Sequence, residues 1–214
     1  MNQDKIKKIS ENTIERYSSR YKKLGRNVKS LGWGSVEQQH YRFGRVLKFV
    51  ECHNRSILDI GCGFGDFYSF MKLKNITPLE YTGWDINHNL IDEANKDSHA
   101  NTNFEVVDLL SENIDKQADI VVMLGLLNFN LKSERNNIEY SKKMIQKAFL
   151  HCNEKLVVDF ISINMNQNYP KEDFIFYHKP GEILDFAFTL TSNVSLFHNY
   201  KSIPQKEFML VLEK

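Results

Sequence analysis

Apolar side chains recur every three or four positions from Asp4 to Leu24, at Ile6, Ile9, Ile14, Tyr17, Tyr21 and Leu24, with lysines and arginines between them. That period predicts an amphipathic helix, and Gly25 is placed to end it. After the loop Leu31-Gly32-Trp33-Gly34, Ser35 is placed to cap a second helix carrying Val36, His40, Phe43, Leu47 and Val50 on one face. The period then shortens. Ile57–Ile60, Tyr81–Ile86, Phe104–Asp108, Ala118–Gly125 and Leu156–Ile161 are short, nearly continuous apolar runs, as expected of strands buried on both faces. Helical spacing returns between them, through Phe67–Lys74, through Leu90, Ile91 and Ala94, and through Ile138, Ile145, Ala148 and Phe149. A polar connection, Asn164 to Lys179, leads to Pro180-Gly181 and a helix with Ile183, Leu184, Ala187 and Phe188. Two last strands, Val194–Tyr200 and Phe208–Leu212, lie so close in sequence that they should pair antiparallel. The alternation predicts an α/β fold: a doubly wound, seven-stranded, mostly parallel sheet with an antiparallel last strand, preceded by two helices.

Composition narrows the setting. At 214 residues the chain suits one domain over 1–214, with residues 1–52 as a helical cover and 53–214 as the core. The 28 basic and 27 acidic residues nearly cancel, which argues against a nucleic-acid partner. No apolar run reaches the roughly 18 residues of a membrane helix, and the first ten residues are polar, so no membrane partner and a cytoplasmic location are expected. Cys52, Cys62 and Cys152 are too widely spaced for a zinc motif, and no metal is expected.

The candidate chemistry starts where the first strand ends, at Ile57-Leu58-Asp59-Ile60-Gly61-Cys62-Gly63-Phe64-Gly65-Asp66. A strand, a glycine turn and a helix place a ligand at the strand's carboxyl end, where backbone can approach without a Cβ in the way. The spacing is G-x-G-x-G followed by Asp66, so the third glycine of the dinucleotide fingerprint is missing, which disfavours a nicotinamide oxidoreductase. Asp85 ends the second strand, where a carboxylate can accept from both hydroxyls of a ribose. Asp108 ends the third, where it could accept from an adenine amine.

With these residues the chain resembles the class I S-adenosylmethionine-dependent methyltransferases, from about Ser56 to the C-terminus. Leu58–Gly65 looks like their first motif, Gly83-Trp84-Asp85-Ile86 like the second-strand acid, Phe104–Leu109 like the adenine contact, and Asp119–Val122 with Gly125 like the fourth-strand motif. The overall likeness is to their small stand-alone bacterial members, on a Rossmann-like sheet. The resemblance implies S-adenosyl-L-methionine as cofactor. It implies that Gly61, Cys62 and Gly63 line its methionine part and that Asp59 helps hold its ammonium. Asp85 would hold the ribose, Ile86 one adenine face, and Asp108 with the Leu109 backbone the adenine's polar edge. Leu124 and Gly125 would lie nearest the substrate. In related small members an arginine on a covering helix meets the cofactor carboxylate; Arg42 suits that part, with Trp33 beside it.

A catalytic base is not marked by any motif. His40 and Tyr41 on the second helix, Asn128 after the fourth strand and His178 before Pro180 are the candidate positions, the last in a loop expected over the site. Neither an Asn-Pro-Pro-Tyr type motif nor a Pro-Cys pair follows the fourth strand. The expected reaction is therefore O- or N-methylation of a small polar metabolite or sugar derivative. The cluster Asn164, Asn166, Gln167, Asn168 and Tyr169 is available to hydrogen-bond that acceptor. The alternatives are a non-catalytic S-adenosylmethionine-binding module, or an RNA or protein methyltransferase.

Overall fold

The computed structural model describes residues 1–165, 169–201 and 205–214. In chain order the elements are α1 (Gln3–Leu24), α2 (Val36–Val46), β1 (Ser56–Ile60), α3 (Asp66–Leu73), β2 (Glu80–Asp85), α4 (His88–Lys96), β3 (Thr102–Val106), β4 (Ala118–Met123), α5 (Glu134–Leu150), β5 (Cys152–Ile161), α6 (Pro180–Ala187), β6 (Val194–Phe197) and β7 (Glu207–Glu213). The strands form one seven-stranded sheet in the order β3-β2-β1-β4-β5-β7-β6. Strands β1 to β5 pair in parallel, and β7 enters antiparallel between β5 and β6. This is the architecture expected from the alternating pattern.

Side chains alternate across each strand, so the sheet separates two apolar layers. Leu58, Val121, Leu156 and Leu210 face α5 and α6, meeting Ile145, Ala148 and Ile183. Ile57, Ile120, Val157 and Val211 face the other way, meeting Phe43 of α2, Phe67 and Met71 of α3, and Ile91 of α4. With both faces covered, β1 and β4 are apolar apart from Ser56, Asp59 and Asp119.

The strand order reverses between β1 and β4, and the crevice that opens there at the carboxyl ends is where open α/β sheets bind ligands. Helix α1 crosses over it. Only Ile6 and Ser10 of this 22-residue helix are buried, so apolar packing alone does not hold it down. Polar contacts do. Ser10 Oγ donates to Asp108 Oδ2 at 2.7 Å. Asn87 Nδ2 donates to Ile14 O and Ser18 Oγ at 3.1 and 3.0 Å. Tyr21 OH donates to Glu93 Oε1 at 2.5 Å.

Several boundaries differ from the periodic reading; β4 ends at Met123 rather than Gly125, and β5 begins at Cys152 rather than Leu156. α2 stops at Val46, because Lys48 and Phe49 tighten into i to i+3 turns onto Arg45 and Val46, although Val50 is still buried. β6 ends at Phe197, short of Tyr200. β3 spans Thr102–Val106, and Asp108 lies beyond it in a turn closed by Leu110 N–H on its own Oδ1 at 3.2 Å. An Asp prefers this local bond to continuing a ladder.

Candidate functional site

The turn after β1 is fixed by its neighbours. Gly61 and Cys62 N–H both donate to Trp84 O, at 2.7 and 3.0 Å, and Gly63 N–H donates to Asp85 Oδ2 at 3.1 Å. Gly61 has φ +80°, and a Cβ there would lie 2.8 Å from Leu126 Cδ1, so only glycine fits. The turn forms the floor of an open cavity of about 1170 Å³, counting the solvent space at its mouth.

Three carboxyl groups surround that floor. Asp59 is 3% exposed; burial pushes it up to about 7, against the hydrogen bond it accepts from Tyr81 OH. Burial pushes Asp85 up to about 6, even though it accepts from the Gly63 and Asn87 N–H groups. Asp66 is raised for the same reason, while accepting from Gln39 Nε2 at 2.8 Å. Among the described residues none of the three forms an ion pair. Carboxylates crowded into a poorly solvated cleft with no ion-pair partner favour a ligand that brings positive charge.

Further along, the cavity turns apolar. Ile86, Leu90, Val107 and Leu109 line it beside Asp108, whose Oδ2 also accepts from Ser111 Oγ at 2.8 Å. Ile9, Thr13 and Tyr17 of α1 form its roof. At the opposite end lie Leu124 and Gly125. Gly125 N–H donates to Asp159 Oδ1 at 2.5 Å, and its φ is +72°. The Trp33 indole rests there, so close that a Cβ on Gly125 would meet it at 2.9 Å.

The structure thus places Trp33, Asp59, Gly61, Cys62, Gly63, Asp85, Ile86, Asp108, Leu109, Leu124 and Gly125 along one cleft. Burial raises the Cys62 thiol well above its usual range, which leaves it a packing residue. Arg42 is not in that cleft. It is buried, stacked over Trp33 at 4.6 Å and ion-paired with Glu207, and it lines a second cavity next door.

This second cavity, about 980 Å³ on the same measure, meets the first at Tyr17, Leu31, Trp33, Gly125 and Phe129. Its outer wall comes from the segment between β5 and α6, including Tyr169, Glu172, Phe174 and Ile175. Of the acceptor cluster, Tyr169 reaches this wall and donates to Glu172 Oε1 at 3.3 Å, while Asn164 N–H donates to Ser162 Oγ at 3.1 Å. Asn166, Gln167 and Asn168 lie outside the described residues.

The positions considered for a base fall elsewhere. His178 does not lie over the site: it is fully buried behind β5, packed against Phe160 and Phe176, with Nε2 3.1 Å from Ser141 Oγ. Burial holds its pKa down to about 3, so it stays neutral. The sequence showed a polar loop near a Pro, whereas His178 N–H bonds Ile161 O and draws the ring inward. His40 packs on Phe70 at 4.9 Å, and Tyr41 OH accepts from Lys201 N–H at 2.9 Å; neither lines either of these two cavities. Asn128 lines the second cavity, but its Oδ1 is used by Ile161 N–H at 2.8 Å. Residues that the sequence reading did not single out for the site are Asp159, Tyr17 and Arg16. An acid inside the apolar β5 run was the available signal for the first.

A family model described as a methyltransferase domain matches residues 58–139, from β1 into α5. Over 162 residues the chain is 28% identical to the 235L protein of Invertebrate iridescent virus 6, whose name assigns it provisionally to the methyltransferases. That match covers 72% of this chain and 57% of the viral protein, so the chain spans little more than half of that relative's length. Among solved structures, the magnesium protoporphyrin IX methyltransferase of Synechocystis with bound S-adenosylhomocysteine is 14% identical, with a TM-score of 0.61 over 95% of this chain and 94% of that one. An S-adenosylmethionine-dependent methyltransferase of Clostridium acetobutylicum is 13% identical, with 0.60 over 93% and 98%. The methyltransferase domain of a bacterial Hen1 is 15% identical, with 0.62 over 82% and 99%. At these identities the likeness to solved structures is one of fold. The domain match spans the glycine turn, Asp85 and Asp108, so the stretch 58–139 is similar to a methyltransferase domain.

Proposed function

We propose that this protein transfers a methyl group from S-adenosylmethionine to a small polar acceptor, a metabolite or sugar derivative, on oxygen or nitrogen. The observation that carries the reading is the acid cleft itself: Asp59, Asp66 and Asp85 around the glycine turn, none of them in an ion pair among the described residues. An ammonium and a sulfonium complement that field. The pyrophosphate of a dinucleotide would add negative charge to it, which weighs against the oxidoreductase reading.

The residues fit the cofactor in detail. Asp59 would take the ammonium, Asp85 the ribose hydroxyls, and Ile86 and Leu109 the faces of the adenine. Asp108 accepts from Ser10, Ser111 and Leu110, leaving one of its roughly four lone-pair sites for an exocyclic amine. When bound, S-adenosylmethionine supplies an activated methyl group on sulfur. The chain's own work is then to orient the acceptor and exclude water, with α1 as the roof and Trp33 against Gly125 as the end wall. With His40, Tyr41 and His178 away from both cavities, positioning rather than a histidine base carries the rate.

The test is transfer of labelled methyl from S-adenosylmethionine into a cell extract, fractionated into small molecules, RNA and protein. Label in the small-molecule fraction supports the reading. Label in RNA would favour the second reading, which the fold likeness to a Hen1 domain motivates. Cofactor binding with label in no fraction would favour a binding module.

A further inference from the structure

The second cavity, unlike the first, is lined by arginines, Arg16 and Arg42, beside one carboxylate, Glu172. Arg16, on α1 immediately before Tyr17, lines it with its guanidinium 4.4 Å over the Phe129 ring and 5.6 Å from that of Phe174. Its Nε is buried and without a hydrogen-bond partner among the described residues. The other charged groups there are already engaged. Arg42 is ion-paired with Glu207, and the Glu172 carboxylate accepts from Tyr169 OH and Gln205 Nε2, at 3.3 and 3.4 Å. A buried N–H donor on a cation, set beside two aromatic rings and left without an acceptor, is what an oxyanion-binding group looks like before its ligand arrives.

We propose that Arg16 is a specificity-determining residue that binds an oxyanion, a carboxylate or phosphate, of the methyl acceptor in the second cavity. The inference rests on the methyltransferase reading above and deepens it, since it names the acceptor as an anion. The two cavities then sort their ligands by charge. The acid-lined cleft favours a cationic donor, and the cavity beyond Gly125 and Trp33 favours an anionic acceptor. Tyr17, Trp33 and Gly125, which border both, are where the two would meet. The rings of Phe129 and Phe174 add a surface on which an apolar face of the acceptor can rest beside its anion.

The test is an NMR titration of the labelled full-length protein, with and without saturating S-adenosylhomocysteine, using benzoate, phenyl phosphate and neutral benzamide as probes. The expected result is that at least one anion perturbs the amides around Arg16, Phe129 and Phe174 and binds about tenfold or more tightly than benzamide. Which anion binds better distinguishes carboxylate from phosphate recognition. Arg16→Gln should weaken the anion by roughly tenfold to a hundredfold, and Arg16→Lys, which keeps the charge but loses the fork, should recover part of it. S-adenosylhomocysteine affinity and melting temperature should stay near wild type in both variants. Equal binding of benzamide and the anions, no binding of either, or an Arg16→Gln variant with unchanged anion affinity would overturn the proposal. So would an Arg16→Gln variant whose main loss is S-adenosylhomocysteine affinity, because the guanidinium would then serve the cofactor's carboxylate. Failure of S-adenosylhomocysteine to bind wild type would instead sink the cofactor reading, while the titration without it still reads the anion site.

Discussion

Ser10 Oγ donates to Asp108 Oδ2 at 2.7 Å across 98 residues of chain, joining the middle of α1 to the turn after β3. With so little of α1 buried, this bond is one of a few that keep the roof closed over the cleft. Replacing Ser10 with Ala should cost about 1 kcal/mol and raise amide exchange along α1 more than in the sheet. Hydrogen exchange followed by mass spectrometry reads this directly. Exchange unchanged in α1 would mean the roof is held by its other contacts.

The cleft acids make stability depend on pH. Asp59 at about 7 and Asp85 at about 6 lie above the ordinary carboxylate range, so the folded apo protein binds protons that the unfolded chain has released. Their contribution is fully present below about pH 4 and is lost as pH rises to about 7. His178 acts the other way: its contribution is fully present above about pH 6.5 and is lost as pH falls towards about 3. Melting curves with and without S-adenosylhomocysteine separate the two. His178 is remote from the cleft and cancels in the difference, so the ligand-induced shift should grow between about pH 5 and 7.5. A shift independent of pH would contradict a cationic ligand beside Asp59 and Asp85.

Gly125 joins β4 to the end wall. Its φ of +72° and the Trp33 indole where a Cβ would go make Gly125→Ala strained and crowded at once. A loss of about 1–3 kcal/mol is expected, with Trp33 displaced. Chemical denaturation followed by tryptophan fluorescence measures both, and Trp84, buried in the sheet, serves as the internal reference.

His178→Phe should leave S-adenosylhomocysteine affinity unchanged while flattening the loss of stability at acid pH, because the buried neutral imidazole it removes does not line the acid cleft. Its hydrogen-bonding partner Ser141 is then left unsatisfied, at a cost of about 1–3 kcal/mol. Calorimetry and urea titration at two pH values check the two halves separately.

These features differ in how much of them the sequence carried. The strand and glycine turn at Ile57–Gly65, Asp85 at a strand end and the antiparallel finish follow from local rules, because each is set by residues adjacent in the chain. Asp108 was legible as an acid, but not its turn, since Asp and a strand ladder compete for the same backbone. The rest depends on what packs on what. His178 and Arg16 both sit in polar stretches, and nothing local separates a histidine drawn into the core by Ile161 from an arginine left facing a cavity. The bond from Asp159 to Gly125 joins two strand ends 34 residues apart and becomes visible only once β4 and β5 are neighbours.

The central claim is that the cleft of Asp59, Asp66 and Asp85 is built for S-adenosylmethionine. Titration calorimetry of S-adenosylhomocysteine into wild type and Asp85→Ala at pH 7.5, with NAD as control, tests it most directly. The account predicts binding to wild type, at least about tenfold weaker binding to a folded Asp85→Ala variant, and no heat from NAD. NAD binding that depends on Asp85, or S-adenosylhomocysteine binding indifferent to it, would contradict the account.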